Sequence, residues 1–66
     1  MPIAQVSILE GRPKEKRVEL IRRVTDAIAE SLEVPAERVR VIVQEVPLEH
    51  WGIGGETAEE KRRGGG

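Results

Sequence analysis

The chain has 66 residues, 38% of them hydrophobic, with one Trp and no Phe, Tyr or Cys. That is one domain with a thin aliphatic core; disulfides and cysteine-bound zinc cannot brace it, and the single His50 cannot build a metal site alone, so association with other copies is the remaining support. Eleven basic and twelve acidic side chains are interspersed for a net charge of −1; this is no footprint for nucleic acid, no apolar run approaches the ~20 residues that cross a bilayer, and no signal peptide is read, so the expectation is a soluble, cytoplasmic protein.

Residues 2–9, PIAQVSIL, read as a strand, with β-branched residues in partial alternation. Proline has no N–H for a sheet ladder and is tolerated at a strand's first residue. Pro2 is therefore either a harmless opener or, once Met1 is removed, a secondary amine at the N-terminus. An α-amino group titrates near ~8. Burial or a neighbouring guanidinium disfavours its charged form, and a free amine at neutral pH is a usable general base. Gly11 supplies a turn. Arg12 follows in the loop, where an arginine is ordinarily solvated, although its fork also suits carboxylates.

Pro13 suits the first turn of a helix. From Lys14 to Leu32, the residues Val18, Leu20, Ile21, Val24, Ala27, Ile28 and Leu32 fall at helical spacings and form an apolar stripe. Glu19 pairs with Arg23 at i,i+4, and Arg17, Arg22 and Arg23 are assigned to the solvated face. The dipeptide Val34-Pro35 disfavours continued helix.

The clearest strand is VRVIVQEV, residues 39–46, β-branched on both faces. Arg38 and Arg40, at i,i+2, are placed on one of its faces, and Arg40 is a candidate for a ligand or an interface. Strand, helix and strand make a βαβ unit of the α/β (α+β) class, with a right-handed crossover. The helix covers one sheet face, and another subunit is needed for the other.

After Pro47, the glycines of EHWGIGGE suit a tight turn or small hairpin. His50 alone is a weak catalytic signal. Trp51 is ordinarily core or interface filler, yet beside a glycine turn it can also wall a pocket. GIGG lacks the spacing and the Lys-Ser/Thr of a phosphate loop. The end, TAEEKRRGGG, has little to bury. Residues 1–61 are expected to be the domain, and 62–66 a flexible tail.

Taken together, PIAQVSILEGR at 2–12, LIRRVTDAIAESL at 20–32, VRVIVQEV at 39–46 and HWGIGGE at 50–56 resemble the 4-oxalocrotonate tautomerase family over nearly the whole chain. The resemblance implies a βαβ subunit with a short terminal hairpin, assembled as a hexamer of paired subunits with active sites between neighbours. It implies Pro2 as the general base, and Arg12 and Arg40 as substrate-binding arginines, one from a neighbouring subunit. The family's aromatic pocket residue, usually Phe, matches Trp51, whose larger ring bears on which substrates fit. Pro13 replaces a polar helix-start residue and stiffens the loop that carries Arg12.

The implied reaction is the isomerisation of 2-hydroxymuconate to 2-oxo-3-hexenedioate, with no metal or organic cofactor and with a small unsaturated oxo or hydroxy acid as partner. Relatives with the same proline and arginines hydrate or dehalogenate unsaturated acids. That chemistry wants a carboxylate to activate water, for which Glu10, Glu45 and Glu56 are nominees. A chain that retains Met1 has an amide at Pro2 and is then a catalytically silent scaffold.

Overall fold

In the computed structural model, residues 1–63 are described. Strand β1 (Ile3–Leu9) and strand β2 (Arg40–Val46) are joined by helix α1 (Lys14–Leu32). The strands pair in parallel, in a register from Ile3 opposite Arg40 to Leu9 opposite Val46. Each strand begins one residue later than predicted. Pro2 has no N–H to contribute, but its carbonyl accepts the Arg40 N–H at 3.0 Å, so pairing starts at the proline all the same. At the other end, the Glu10 N–H donates to the Val46 carbonyl at 3.0 Å.

Pro13 caps α1 from an extended conformation (φ −68°), one residue before the helix proper. The helix ends at Glu33, which takes a left-handed conformation (φ 56°) and donates its N–H to the Ala29 carbonyl. Arg38 is not a strand residue: it closes a 3-10 turn, Ala36–Arg38, that Pro35 opens. Arg38 and Arg40 therefore do not share a strand face.

Alternation along both strands divides the sheet into two faces. Ala4, Val6, Ile8, Val41 and Val43 are half-buried, whereas Ile3, Gln5, Ser7, Arg40, Ile42 and Gln44 are exposed. The second face is uncovered, as the sequence leads one to expect, but it is mixed rather than apolar: Ile3 and Ile42 stand among amides and a hydroxyl. The predicted helical stripe also splits. Leu20, Val24 and Ile28 are half-buried, while Val18, Ile21, Ala27 and Leu32 are exposed. Seven apolar positions are more than one sheet face can cover.

Beyond Pro47, a 3-10 turn (Leu48–His50) leads to a hairpin of β3 (Gly52–Ile53) and β4 (Glu56–Thr57) and then to helix α2 (Ala58–Arg63). Gly54 (φ 60°) and Gly55 (φ 93°) form the hairpin turn. Two consecutive positive φ values explain why both are glycine. Thr57 and Glu60 form a capping box: the Thr57 N–H donates to Glu60 Oε1 at 2.8 Å and the Glu60 N–H to Thr57 Oγ1 at 3.1 Å. The sequence predicts a segment with little to bury, yet Ala58 is one of the two buried hydrophobic residues among those described, with Val39, just before β2, the other. Arg62 and Arg63 close α2, and the remainder of the expected tail, 64–66, lies outside the described residues.

The radius of gyration is 15.3 Å; a compact chain of this length has about 11 Å. The exposed surface is 5153 Å², against about 4,200 Å² for a monomer of this mass. Among the described residues, no helix is long and apolar enough to cross a membrane.

Candidate active site

The parallel topology decides which predicted residues can meet. Pro2 precedes β1, half-buried, and its backbone is hydrogen-bonded to that of Arg40, the first residue of β2. The two therefore sit side by side at one end of the sheet. Arg12 lies beyond the other end, in the loop after β1. Six strand rises of about 3.3 Å put roughly 20 Å between the two ends. One chain thus brings Pro2 and Arg40 together and holds Arg12 away from both.

Arg40 is exposed, and its Nη1 donates to the carbonyls of Glu37 at 2.7 Å and Val39 at 3.3 Å. Arg12 is also exposed, with Nη1 on the Leu9 carbonyl at 3.3 Å. Gly11 (φ 126°) provides the turn that starts this loop. Neither arginine makes an ion pair among the described residues; the paired ones are Arg17, with Glu45, and Arg23, with Glu19. Two guanidiniums held only by neutral carbonyls keep their full charge for an anion.

Trp51 stands between the Leu48–His50 turn and β3, half-buried. Its N–H reaches the Leu48 carbonyl at 3.4 Å, and its carbonyl accepts the Ala58 N–H at 2.8 Å. Its placement is thus fixed by the C-terminal segment, with α2 packed on that turn. His50 is exposed and has no catalytic partner among the described contacts.

Of the three carboxylates nominated to activate water, Glu45 is bound by Arg17 at 3.0 Å and Glu56 by Lys61 at 3.4 Å. Glu10 is exposed at the Arg12 end. No group of His, Cys, Asp or Glu capable of holding a metal ion occurs among the described residues.

Contrary to what its helical spacing predicts, Arg17 does not face solvent. Its Nη1 donates both to Glu45 Oε2 at 3.0 Å and to the Arg12 carbonyl at 3.1 Å. A signal was present in the sequence. Glu45 has the same strand parity as Val41 and Val43, so it belongs to the helix-covered face, where a carboxylate needs a cation.

The βαβ frame finds its counterpart among tautomerases. The chain belongs to the tautomerase enzyme family, whose model matches residues 2–61. It is 56% identical over 63 residues to a 2-hydroxymuconate tautomerase of Pseudomonas sp. strain CF600, covering 96% of this chain and all of that one. Among solved structures it resembles TomN, a 4-oxalocrotonate tautomerase homologue in the tomaymycin biosynthetic pathway. The TM-score there is 0.91 at 42% identity, over 94% of this chain and 95% of that one. A heterohexamer 4-oxalocrotonate tautomerase from Chloroflexus aurantiacus J-10-fl superposes with a TM-score of 0.87, also at 42% identity, over 91% of this chain and 97% of that one.

Proposed function

We propose that this tautomerase isomerises unsaturated 2-hydroxy dicarboxylic acids of the 2-hydroxymuconate type to their 2-oxo isomers, with the amine of Pro2 as general base. The observation that carries the reading is the pairing of Pro2 with Arg40 at the head of the sheet. It supports the reading by joining the residue proposed as base to the backbone of an arginine whose side chain makes no ion pair among the described residues.

With Met1 removed, the Pro2 nitrogen takes the proton of the substrate's 2-hydroxyl. The electron pair moves into the diene, giving a dienolate. The Pro2 ammonium then returns the proton to carbon 5, which leaves a carbonyl at carbon 2. Proton and charge balance, and no redox step occurs. Arg40 and Arg12 bind carboxylates and the oxygen on which negative charge grows. Trp51 supplies an apolar wall that excludes water. The same two arginines disfavour the Pro2 ammonium, so the amine titrates below an ordinary α-amine, and kcat/KM rises with pH as the ammonium loses its proton.

The site takes Arg12 from a neighbouring subunit, and the assembly we propose is a hexamer. The support lies in the large exposed surface, in Ile3 and Ile42 standing on an uncovered sheet face, and in the distance between the two ends of β1.

The test compares Met-free protein with a form that keeps Met1, each confirmed by intact mass. The Met-retaining form is expected to fold and assemble but to lose most tautomerisation of 2-hydroxymuconate, since an acylated nitrogen is not a base. Equal rates reject Pro2 as the base.

A further inference from the structure

The loop that carries Arg12 is exposed from Glu10 to Lys16, and such a segment is ordinarily a mobile part of a fold. Here it is tied down at several points. The Glu10 N–H is bound to Val46, Pro13 fixes the entry to α1, and the Lys16 N–H closes on the Pro13 carbonyl at 3.0 Å. The remaining tie is a side chain. The two hydrogens of Arg17 Nη1 go to the Arg12 carbonyl at 3.1 Å and to Glu45 Oε2 at 3.0 Å. Arg17 thereby joins the Arg12 backbone to the end of β2.

The Arg17 and Glu45 side chains are 31% and 32% exposed, so water screens the pair only in part. The Glu19–Arg23 pair is chemically alike but lies within one helix, where the Arg23 side chain is 78% exposed and holds no loop. Isolated surface pairs of that kind contribute little. What sets Arg17 apart is the second bond, to the carbonyl of the residue proposed to bind substrate.

We propose that Arg17 is a positioning residue for Arg12, anchored by Glu45, and that it sets how tightly the substrate carboxylate is held. The inference rests on the reading of Arg12 as a carboxylate-binding residue. Holding the Arg12 backbone in place means that less conformational entropy is lost when the guanidinium engages its ligand.

The experiment is a steady-state comparison of Arg17→Met, Glu45→Gln, Arg12→Ala and the double variants, using 2-hydroxymuconate, with assembly checked by light scattering. Arg17→Met keeps the aliphatic stem and removes both hydrogen bonds. It is expected to raise KM about five- to tenfold with kcat within about twofold, the pattern of lost uniform binding. Glu45→Gln, which weakens only the anchor, should raise KM by about two- to threefold. In an Arg12→Ala background both effects should vanish, because a residue that acts through Arg12 has nothing left to position. Arg23→Met is the control and should match the wild type.

An Arg12→Ala variant with wild-type kinetics overturns the reading beneath the inference. An impaired Arg12→Ala beside an unchanged Arg17→Met overturns the inference alone, as does an Arg17→Met loss that multiplies undiminished on Arg12→Ala. If Arg17→Met does not assemble, Glu45→Gln decides. A raised KM that disappears in the Arg12→Ala background supports positioning, and a wild-type KM overturns it.

Discussion

The two ends of the parallel sheet each close on one backbone hydrogen bond, to the Pro2 carbonyl at one end and to the Val46 carbonyl at the other, and they differ in what the side chains around it hold. At the Pro2 end, one backbone hydrogen bond joins β1 to β2, and the Arg40 guanidinium rests on carbonyls of its own turn. At the Arg12 end, a cross-element ion pair fixes the loop, and an arginine that takes no substrate in our reading carries much of the restraint. A side chain held only by nearby carbonyls can turn toward a ligand at little cost. A loop must first be ordered, and ordering each backbone residue costs about 1–2 kcal/mol. The Arg12 end therefore has its loop tied by side chains, whereas the Pro2 end leaves the Arg40 guanidinium on neutral carbonyls.

The largest expected break of this comparison lies between the two ends, on the uncovered face. Ile42 is 52% exposed in one chain. A charge at so open a position in a monomer changes stability by only about 0.5 kcal/mol. If the face is an interface, Ile42→Asp buries an unpaired carboxylate there and should abolish both assembly and activity. Light scattering and a tautomerase assay check this; a folded, active monomer contradicts it.

Next in size are the two arginines. On the proposed site, Arg40→Ala and Arg12→Ala should each remove a charge-assisted contact worth about 1.5–3 kcal/mol, or roughly tenfold or more in kcat/KM, with assembly intact. Arg22→Ala, on the helix, should leave kcat/KM unchanged. Equal losses at all three positions would erase the distinction between the ends and the helix face.

The smallest effect belongs to the C-terminal cap. Hydrogen bonds from the Thr57 N–H and then its hydroxyl hold the Glu60 carboxyl below the usual carboxylate range. Because the folded value is the lower one, the stabilisation is complete above the ordinary carboxyl value and is lost as pH falls through the lowered one. The protection factors of the α2 amides, with the intrinsic pH dependence of exchange divided out, should fall in acid, and Thr57→Ala, which removes the hydroxyl but keeps the N–H, should weaken that pH dependence. An unchanged acid response in Thr57→Ala contradicts the assignment.

The main frame was legible because its signals are local. Pro13 and Pro35 bracket α1, β-branched runs mark both strands, and paired glycines mark the hairpin. Less legible was what depends on parity and reach. Arg38 was drawn into β2 because the 3-10 turn that Pro35 opens leaves no periodic signature over three residues. Helix α2 was missed because TAEEKRR looks polar throughout, although its threonine and glutamate spell a capping box. Arg17 was assigned to solvent because helical spacing alone does not show that a strand carboxylate 28 positions later lies opposite. The residues alone nominate Pro2 and Arg40, while the roles proposed for Pro2, Arg12, Arg40 and Trp51 together rest on the family resemblance. The separation of Pro2 from Arg12 came from the parallel register.

That separation gives the most direct test of the central claim, which is that one site draws Pro2 and Arg12 from different chains. Met-retaining subunits have a blocked Pro2 and an intact Arg12, and Arg12→Ala subunits have the reverse. Each homo-assembly should fall to about a tenth of wild-type activity or below on 2-hydroxymuconate. Unfolded together in equal amounts and refolded, they should regain about a quarter of wild-type activity, the fraction of shared sites with both intact residues in a randomly mixed symmetric assembly. Mixed assemblies, verified by native mass spectrometry, that stay at the average of the two parents would contradict a shared site.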